Sequence, residues 1–345
     1  MPSFFLLTRG GWGGIIPGFL KAACDRAGGR TISKDSVLRR KAVKVLVCDS
    51  ISEEGLKVLK NAGLEVTVKT GMTPEDVAAV IEPYHAVIVR SATKIKKPAI
   101  EAGKNLKCIA RGGIGVDNID VETAKAKGIP VLNTPGATTV TVAELALGMM
   151  FGLCRHLAPA TASMKAGLWE KKKYEGAELF GKTLGVIGTG RIGQHVMKVA
   201  KAIPMTILGY DVMKNDEAAK TIGFKYVPLD ELLTKSDVIT LHLPLTPQTK
   251  YLINDAAVAK MKKGVLIVNC SRGGVVEEKA LIAGLKSGKI AAAGIDVYEK
   301  EPTDNKELLA LENVILTPHI GASTREGQYR VGVEICEKVV EVLEK

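Results

Sequence analysis

Aromatic side chains make up only 4% of the 345 residues, with two tryptophans and five histidines in all. Clustered cysteines are absent as well: Cys24, Cys48, Cys108, Cys154, Cys270 and Cys336 lie far apart, with no C-x-x-C pair. That spacing excludes a disulfide framework, and without grouped histidines it gives no zinc pattern, so no metal is expected. Most of the cysteines fall inside apolar runs, where a thiol acts as a small hydrophobe, and a reducing compartment, the cytoplasm, is the expectation. No uncharged apolar run approaches the ~18 residues of a membrane span, so no membrane partner is expected.

The net charge of +11 is unevenly spread. Residues 1–42 hold eight Lys/Arg against two Asp, which leaves +5 on the other 303 residues. In that larger part the lysines are scattered, with few aromatics between them, and a nucleic-acid surface is not expected. The first 42 residues have many glycines, no long periodicity and no acid before Asp25. They read as a basic, loosely ordered extension whose arginine content is compatible with an organellar transit segment; "FFLL" is too short for a secretory core.

From Lys44 onward, short apolar runs such as "KVLVCDS", "AVIVRSA", "LKCIARGG" and "IPVLNTP" alternate with helical patterns. Such alternation predicts βαβ units and parallel sheets covered on both faces. The helical pattern over "TTVTVAELALGMMFGLCRHL" is apolar on nearly all sides and predicts a long buried helix at a domain boundary. After it a second alternating series begins at "TLGVIGTG" and runs through "TILGYD", "DVITLHLP", "VLIVNC", "AAAGIDV" and "VILTPH". The last stretch, from about Thr324, is an amphipathic helix with no strand to feed. The expected architecture is α/β, with two doubly wound Rossmann-like domains. The nucleotide-binding domain (138–318) is inserted in a discontinuous substrate domain (43–137 and 319–345).

Gly188, Gly190 and Gly193 form G-x-G-x-x-G between the strand "TLGVI" and the helix "RIGQHVMKVAKA", the context in which that motif cradles a pyrophosphate at a helix N-terminus. Asp211 ends the next strand, placed to accept from ribose hydroxyls and repel a 2′-phosphate, which points to NAD rather than NADP. Three ionisable residues stand just beyond later strands: Arg272 after "VLIVNCS", Glu301 after "AAAGIDVYEK" and His319 after "VILTP". In open parallel sheets, ligands bind at the carboxyl ends of strands.

"LGVIGTGRIG", "VNCSRGGVV", "GIDVYEKEP" and "TPHIGAST" resemble the signature segments of the D-isomer-specific 2-hydroxyacid dehydrogenases, and the likeness spans about 44–345. It implies hydride transfer between nicotinamide and the 2-carbon of a D-2-hydroxy acid, with His319 as acid/base, Glu301 as its partner and Arg272 as substrate clamp. Elementary chemistry agrees: a carboxylate orients an imidazole and offsets the charge it takes on, and a guanidinium holds a planar carboxylate by a fork. The likeness also implies cofactor contacts at Arg191, Ile192, Leu243, Cys270, Ser271, Asp296, His319 to Ala322, and Ile114. Asp296 is expected to accept from the nicotinamide carboxamide. Ile114 and Thr138 depart from the pattern of the vertebrate relatives, and the second is expected to bear on the interdomain hinge.

"VRSATK", "ARGGIGVDNID" and "TASMKAGLWEKKKYEGAEL" resemble the branch of the family that acts on a phosphorylated 2-hydroxy acid. On that side Arg90, Ser91, Arg111, Gly112 and Gly113 are the substrate-binding candidates, the glycines through backbone N–H groups. Arg90, Arg111 and the run Lys171 to Lys173 are the candidate cations for a phosphate. The resemblance further implies a homodimer or higher homo-oligomer, paired through the long helix and "LWEKKKYEGAEL". Two alternatives stay open: a dehydrogenase of glyoxylate, hydroxypyruvate or D-lactate, and an NAD-sensing corepressor-type scaffold.

Overall fold

The computed structural model describes residues 42–345, and the expectation for the basic extension lies outside the described residues. The first part of the chain runs β1 (Lys44–Val47), α1 (Glu53–Asn61), β2 (Glu65–Val68), α2 (Pro74–Val80), β3 (Ala86–Val89), α3 (Lys97–Ala102), β4 (Cys108–Arg111), α4 (Val121–Ala126) and β5 (Val131–Asn133). Two helices follow, α5 (Thr139–Cys154) and α6 (Leu157–Lys165). The second series is β6 (Thr183–Ile187), α7 (Arg191–Ala202), β7 (Thr206–Tyr210), α8 (Asp216–Ile222), β8 (Lys225–Tyr226), α9 (Leu229–Lys235), β9 (Val238–Leu241) and α10 (Asp255–Lys260). It closes with β10 (Val265–Asn269), α11 (Glu278–Lys286), β11 (Ile290–Ile295), α12 (Lys306–Leu309), β12 (Val314–Leu316) and α13 (Arg325–Leu343).

All strand pairs are parallel and form two sheets, ordered β2-β1-β3-β4-β5 and β12-β11-β10-β9-β6-β7-β8. Strand order reverses between β1 and β3 in the first sheet and between β6 and β9 in the second. Reversal leaves a crevice at the carboxyl ends, because the flanking crossovers leave to opposite faces. β3 and β9 are buried along their whole length, as strands covered by helices on both faces must be.

Helix α13 returns to the first sheet and packs on α1, β4 and β5. Its Ile335, Cys336 and Val339 share a core with Val45, Val47, Leu59 and Ile88, so the first domain is discontinuous in the chain. The α1–α13 contact depends on two glycines. A Cβ on Gly55 would lie 2.5 Å from the carbonyl oxygen of Gly332, and one on Gly332 would overlap Ser52. Two further bonds tie α13 to the linker before α5: Lys338 Nζ to Asn133 O (2.7 Å) and Arg330 Nε to Ala137 O (2.8 Å).

Two elements differ from expectation. The long helix breaks early: α5 stops at Cys154, and His156, in a left-handed conformation (φ 52°), starts α6 at a 64° bend. A residue at positive φ cannot continue the i→i−4 ladder, and apolar patterning carries no sign of it. β8 is the second, since two residues are too few to display alternation. No single helix among the described residues is long and apolar enough to cross a membrane.

Gly55→Ala gains helix propensity but drives a methyl into the α13 backbone, so overpacking should dominate. A loss of about 1–3 kcal/mol is expected from urea unfolding; stability equal to wild type would show that the α1–α13 contact is not close-packed.

Candidate active site

Each glycine of the loop after β6 meets a separate demand. Gly188 has φ +94°, and a Cβ there would overlap the carbonyl of His242, the residue that follows β9. The two loops of the switch point therefore touch backbone to backbone. Gly193 lies against the carbonyl of Gly188, which seats α7 on β6. Gly190 has no atom within 4 Å of its missing Cβ, so the space before the α7 N-terminus is open. No side chain caps the first turn of α7, where Arg191 and Ile192 stand. Its N–H groups and dipole are available to a pyrophosphate, and the residues present fit a dinucleotide.

Asp211, just past β7, closes this edge. Its Oδ2 accepts from Thr189 N (2.7 Å) and its Oδ1 from Met213 N (3.0 Å). Leu243 lies beside Gly188 and packs on the core of the second domain. His242 was not anticipated from the sequence. Its Nε2 meets Thr240 Oγ1 at 3.1 Å, its Nδ1 is buried without a partner, and desolvation pushes its pKa down to about 4. At neutral pH it is an uncharged group on the lip of the loop.

Further along the same sheet edge, β10, β11 and β12 deliver Arg272, Glu301 and His319. Asp296 anchors the histidine loop. It is 1% exposed, and it accepts from Thr317 Oγ1 (2.6 Å), Ile320 N (2.8 Å) and Gly321 N (2.8 Å). Tyr298 ties the neighbouring loops together, donating its hydroxyl to Thr317 O (2.9 Å) and its N–H to Glu301 Oε1 (3.2 Å). Within that frame His319 adopts φ 53°, a left-handed kink that turns its side chain out of the strand direction. Its Nδ1 lies 2.7 Å from Glu301 Oε2, which leaves Nε2 for a reacting group. A carboxylate accepting at Nδ1 places the proton there and makes Nε2 the acceptor tautomer.

Arg272 bridges to the first domain. Its Nε donates to Asp117 Oδ2 (3.1 Å) and its Nη1 to Ser271 O (2.7 Å). Gly115 makes room for it: a Cβ there would overlap the guanidinium. Gly273 lets the same turn press on the Tyr298–Glu299 backbone. Ser271 is held through Asn269 Oδ1, accepting at 3.1 Å from its N–H and 2.7 Å from its hydroxyl. Cys270 is buried against Met149 (Sγ–Sδ 3.7 Å), and burial followed by the Asp296 charge raises its pKa. It lines the site as a small hydrophobe.

Facing Arg272 are the arginines at the carboxyl ends of β3 and β4. Burial pushes Arg111 down to about 10, with the Arg272 charge the next cause and Arg90 a smaller one. It keeps its charge at neutral pH. Arg90 is lowered by burial as well, and the Nε atoms of both arginines are buried without partners. Arg90 Nη1 contacts Gln328 Oε1, and Gln328 Nε2 donates to Ala322 O (2.7 Å). Arg111 Nη2 reaches Ser91 Oγ at 3.3 Å. The turn that carries Arg90 hangs on Asp49, which accepts from Arg90 N (2.5 Å) and Thr93 Oγ1 (2.7 Å), and on Asn118, whose Nδ2 donates to Arg90 O (2.8 Å) and Thr93 O (2.6 Å).

The Gly112 expectation needs correction. The Gly112 N–H donates to Val89 O (2.8 Å) as the end of a ladder, so it is not open to a substrate carboxylate. Gly112 supplies space instead: a Cβ would stand 3.0 Å from Val331 Cγ1. Gly113 lets the Arg111 guanidinium fold back over it. Asp296 already uses both oxygens, and a carboxamide donor would have to share Oδ2, which has one partner. The Ile114 carbonyl accepts from Asn133 Nδ2 (2.6 Å). Thr138 is buried at the start of α5 and makes no side-chain cap.

Lys171 to Lys173 do not join the cation group of their own chain. Lys173 pairs with Glu170 at 3.8 Å and lies 5.7 Å from the Tyr174 ring centre. The pocket it lines includes Ala291, Ala292 and Val314, at the amino ends of β11 and β12, opposite the edge that bears His319. Among the described residues no cluster of three or more His, Cys, Asp or Glu could hold a metal.

An imidazole with a free Nε2, an arginine two strands along and a dinucleotide loop on the same sheet edge can move a hydride and a proton at the carbon next to a carboxylate. That chemistry defines the class, a nicotinamide-dependent dehydrogenase of 2-hydroxy acids. Residues 147–321 match the family model described as D-isomer specific 2-hydroxyacid dehydrogenase, NAD binding domain. The chain is 51% identical over 304 residues to a hydroxypyruvate reductase of Thermotoga maritima, covering 87% of this chain and 98% of the relative. It is 49% identical over 302 residues to a D-3-phosphoglycerate dehydrogenase of Methanocaldococcus jannaschii, covering 87% of this chain but 57% of that relative. It thus spans little more than half the length of several curated relatives it matches. Among solved structures, a glyoxylate reductase of Paecilomyes thermophila superposes with a TM-score of 0.82 at 33% identity, covering 89% of this chain and 97% of the other. The chain belongs to the D-isomer specific 2-hydroxyacid dehydrogenases, and its second domain is the NAD-binding one.

Replacing His319 by Asn removes the group at Nε2 without touching the glycine loop. A fall in kcat of about 10² to 10⁴ is expected, with NAD affinity by fluorescence titration unchanged; an unchanged kcat would remove His319 from proton transfer.

Proposed function

We propose that the protein is an NAD-dependent dehydrogenase of a phosphorylated D-2-hydroxy acid, converting 3-phospho-D-glycerate to 3-phosphooxypyruvate in the phosphorylated route to serine, in the cytoplasm. The observation that carries this reading is the excess of cations in the cleft. Arg90, Arg111 and Arg272 are offset by Asp49 and Asp117, and two of the guanidinium groups retain buried unpartnered nitrogens. A carboxylate alone can engage one guanidinium fork; a carboxylate and a phosphate on one small molecule match the whole group.

Arg272 clamps the substrate carboxylate, exchanging its exposed pair with Asp117, an interaction worth little in water. His319 Nε2 takes the proton of the C2 hydroxyl as the C–O bond gains double-bond character, and Glu301 holds the ring through Nδ1 and offsets the charge it acquires. Bound NAD supplies the acceptor for the hydride that leaves C2. In reduction the same nitrogen returns the proton to the keto oxygen. Arg90 and Arg111 hold the phosphate, with Gln328 linking Arg90 to the loop that carries His319.

A second reading, reduction of hydroxypyruvate, is favoured by the near-complete coverage of the Thermotoga relative. Initial rates with 3-phospho-D-glycerate, D-glycerate and D-lactate, and with hydroxypyruvate and glyoxylate in the reverse direction, separate the two. The phosphorylated substrate is expected to have the highest kcat/KM. Arg90→Met should raise its KM by about 10-fold or more through loss of a charge-assisted contact, with little effect on hydroxypyruvate. Higher kcat/KM for hydroxypyruvate in the wild type would replace the first reading by the second.

The active unit we propose is a homodimer. Seven of the fourteen exposed large apolar residues among those described fall between Val140 and Phe180, including Phe151, Met164, Trp169 (81% exposed) and Phe180 (66%). Large apolar groups left in water along one segment are what a subunit interface would cover. Sedimentation velocity should give a dimer for the wild type and a monomer for Trp169→Glu combined with Phe180→Glu; a wild-type monomer would contradict it.

A further inference from the structure

Asp211 carries the discrimination between NAD and NADP in the reading above, and a half-buried carboxylate just past a strand end selects only as well as its rotamer is fixed. Besides the backbone N–H groups of Thr189 and Met213, the structure supplies a hydroxyl relay to Asp211 that begins outside the cofactor loop. Asn215 N donates to Tyr226 Oη (3.0 Å), Tyr226 Oη lies 2.8 Å from Thr189 Oγ1, and Thr189 Oγ1 donates to Asp211 Oδ2 (3.3 Å).

The direction of this chain follows from proton counting. The carboxylate only accepts, so the single hydroxyl proton of Thr189 goes to Asp211. The Tyr226 oxygen already receives the Asn215 N–H, and its own proton has no acceptor among the described residues other than Thr189 Oγ1. Every bond therefore points toward the charge, the arrangement in which successive hydrogen bonds polarise one another.

The result at Asp211 is countable. A carboxylate has about four acceptor positions. Oδ2 is filled by the amide and hydroxyl of Thr189, and Oδ1 takes Met213 N, which leaves one position on Oδ1. Rather than both ribose hydroxyls, the group has capacity for one further strong donor. We infer that Tyr226, through Thr189, is a specificity-determining positioning residue that locks the Asp211 carboxylate so that its one remaining acceptor serves a ribose hydroxyl and its charge faces the position of a 2′-phosphate.

The surroundings of Tyr226 fit this role. The ring is fixed by an edge contact with Phe224 (centres 4.9 Å apart, 70°) on the short edge strand β8. Lys214, three residues past Asp211, has its Nζ 5.9 Å from the Tyr226 ring centre. The nearest following cation is thus held over the aromatic face, and a phenylalanine at 226 would keep the ring, its packing and that contact while removing only the hydroxyl.

The inference rests on the NAD reading, and the test separates the two. NAD⁺ and NADP⁺ dissociation constants are measured by isothermal titration calorimetry for the wild type, Tyr226→Phe, Asp211→Ala and the double variant, with thermal midpoints recorded for each. Tyr226→Phe is expected to weaken NAD⁺ by about 3- to 10-fold and to change NADP⁺ by less, so that the preference for NAD⁺ shrinks. In the Asp211→Ala background the same substitution is expected to leave the ratio unchanged, because the group it positions is gone. An unaltered ratio in Tyr226→Phe, whatever its thermal midpoint, overturns the relay, and so does an equal shift that persists without Asp211. A wild type that binds NADP⁺ more tightly would instead overturn the cofactor reading itself.

Discussion

Three guanidinium groups gathered where two sheets present their carboxyl ends impose an electrostatic demand that the rest of the cleft is arranged around. Two unit charges of like sign 5 Å apart repel by roughly 3 kcal/mol at an effective dielectric of 20. Burial lowers the Arg111 pKa, with the charge of Arg272 next and that of Arg90 adding to it. Asp49 is committed to the backbone of the Arg90 turn as well as to its charge, and Asp117 is largely exposed. An anionic substrate of the kind proposed would complete the balance.

Against that cationic wall the second domain presents a rigid edge. Asp296 binds three donors of the Thr317–Gly321 segment and Tyr298 joins it to the Glu301 loop, so the left-handed His319 is held by its neighbours rather than by its own preference. Positive φ at a non-glycine residue persists only where surrounding bonds over-determine it. The glycine loop obeys the same logic through close approach: Gly188 touches the His242 carbonyl, and Gly193 touches Gly188. Chemistry is thus placed by loops, and the loops by backbone contacts and buried carboxylates.

Much of this arrangement is legible in the sequence. Strands of a covered parallel sheet are continuous apolar runs, so "AVIV" and "VITL" announce themselves, and Arg272, Glu301 and His319 each follow such a run. The groups that escaped are those whose roles come from tertiary neighbours. Asp117 lies in "GVDNID" with nothing local to distinguish it from its companions, and Gln328 is one polar residue on an amphipathic helix. Tyr226 sits on a two-residue strand with no periodicity to read, and His156 breaks a helix that its apolar pattern would continue. Gly112 and the Lys171–Lys173 run differ from expectation for the same reason: composition indicates a donor or a charge, but not the bond already made at Val89 nor the end of the sheet on which a lysine emerges.

We propose that the arginine group requires two anionic moieties on one ligand. That requirement is tested most directly by calorimetric titration of 3-phospho-D-glycerate and D-glycerate into the protein loaded with NADH, where no turnover occurs. The phosphorylated compound is expected to bind about 10- to 100-fold more tightly, the worth of a charge-assisted contact or two, with the difference shrinking as salt is raised. Equal affinities, independent of salt, would contradict it.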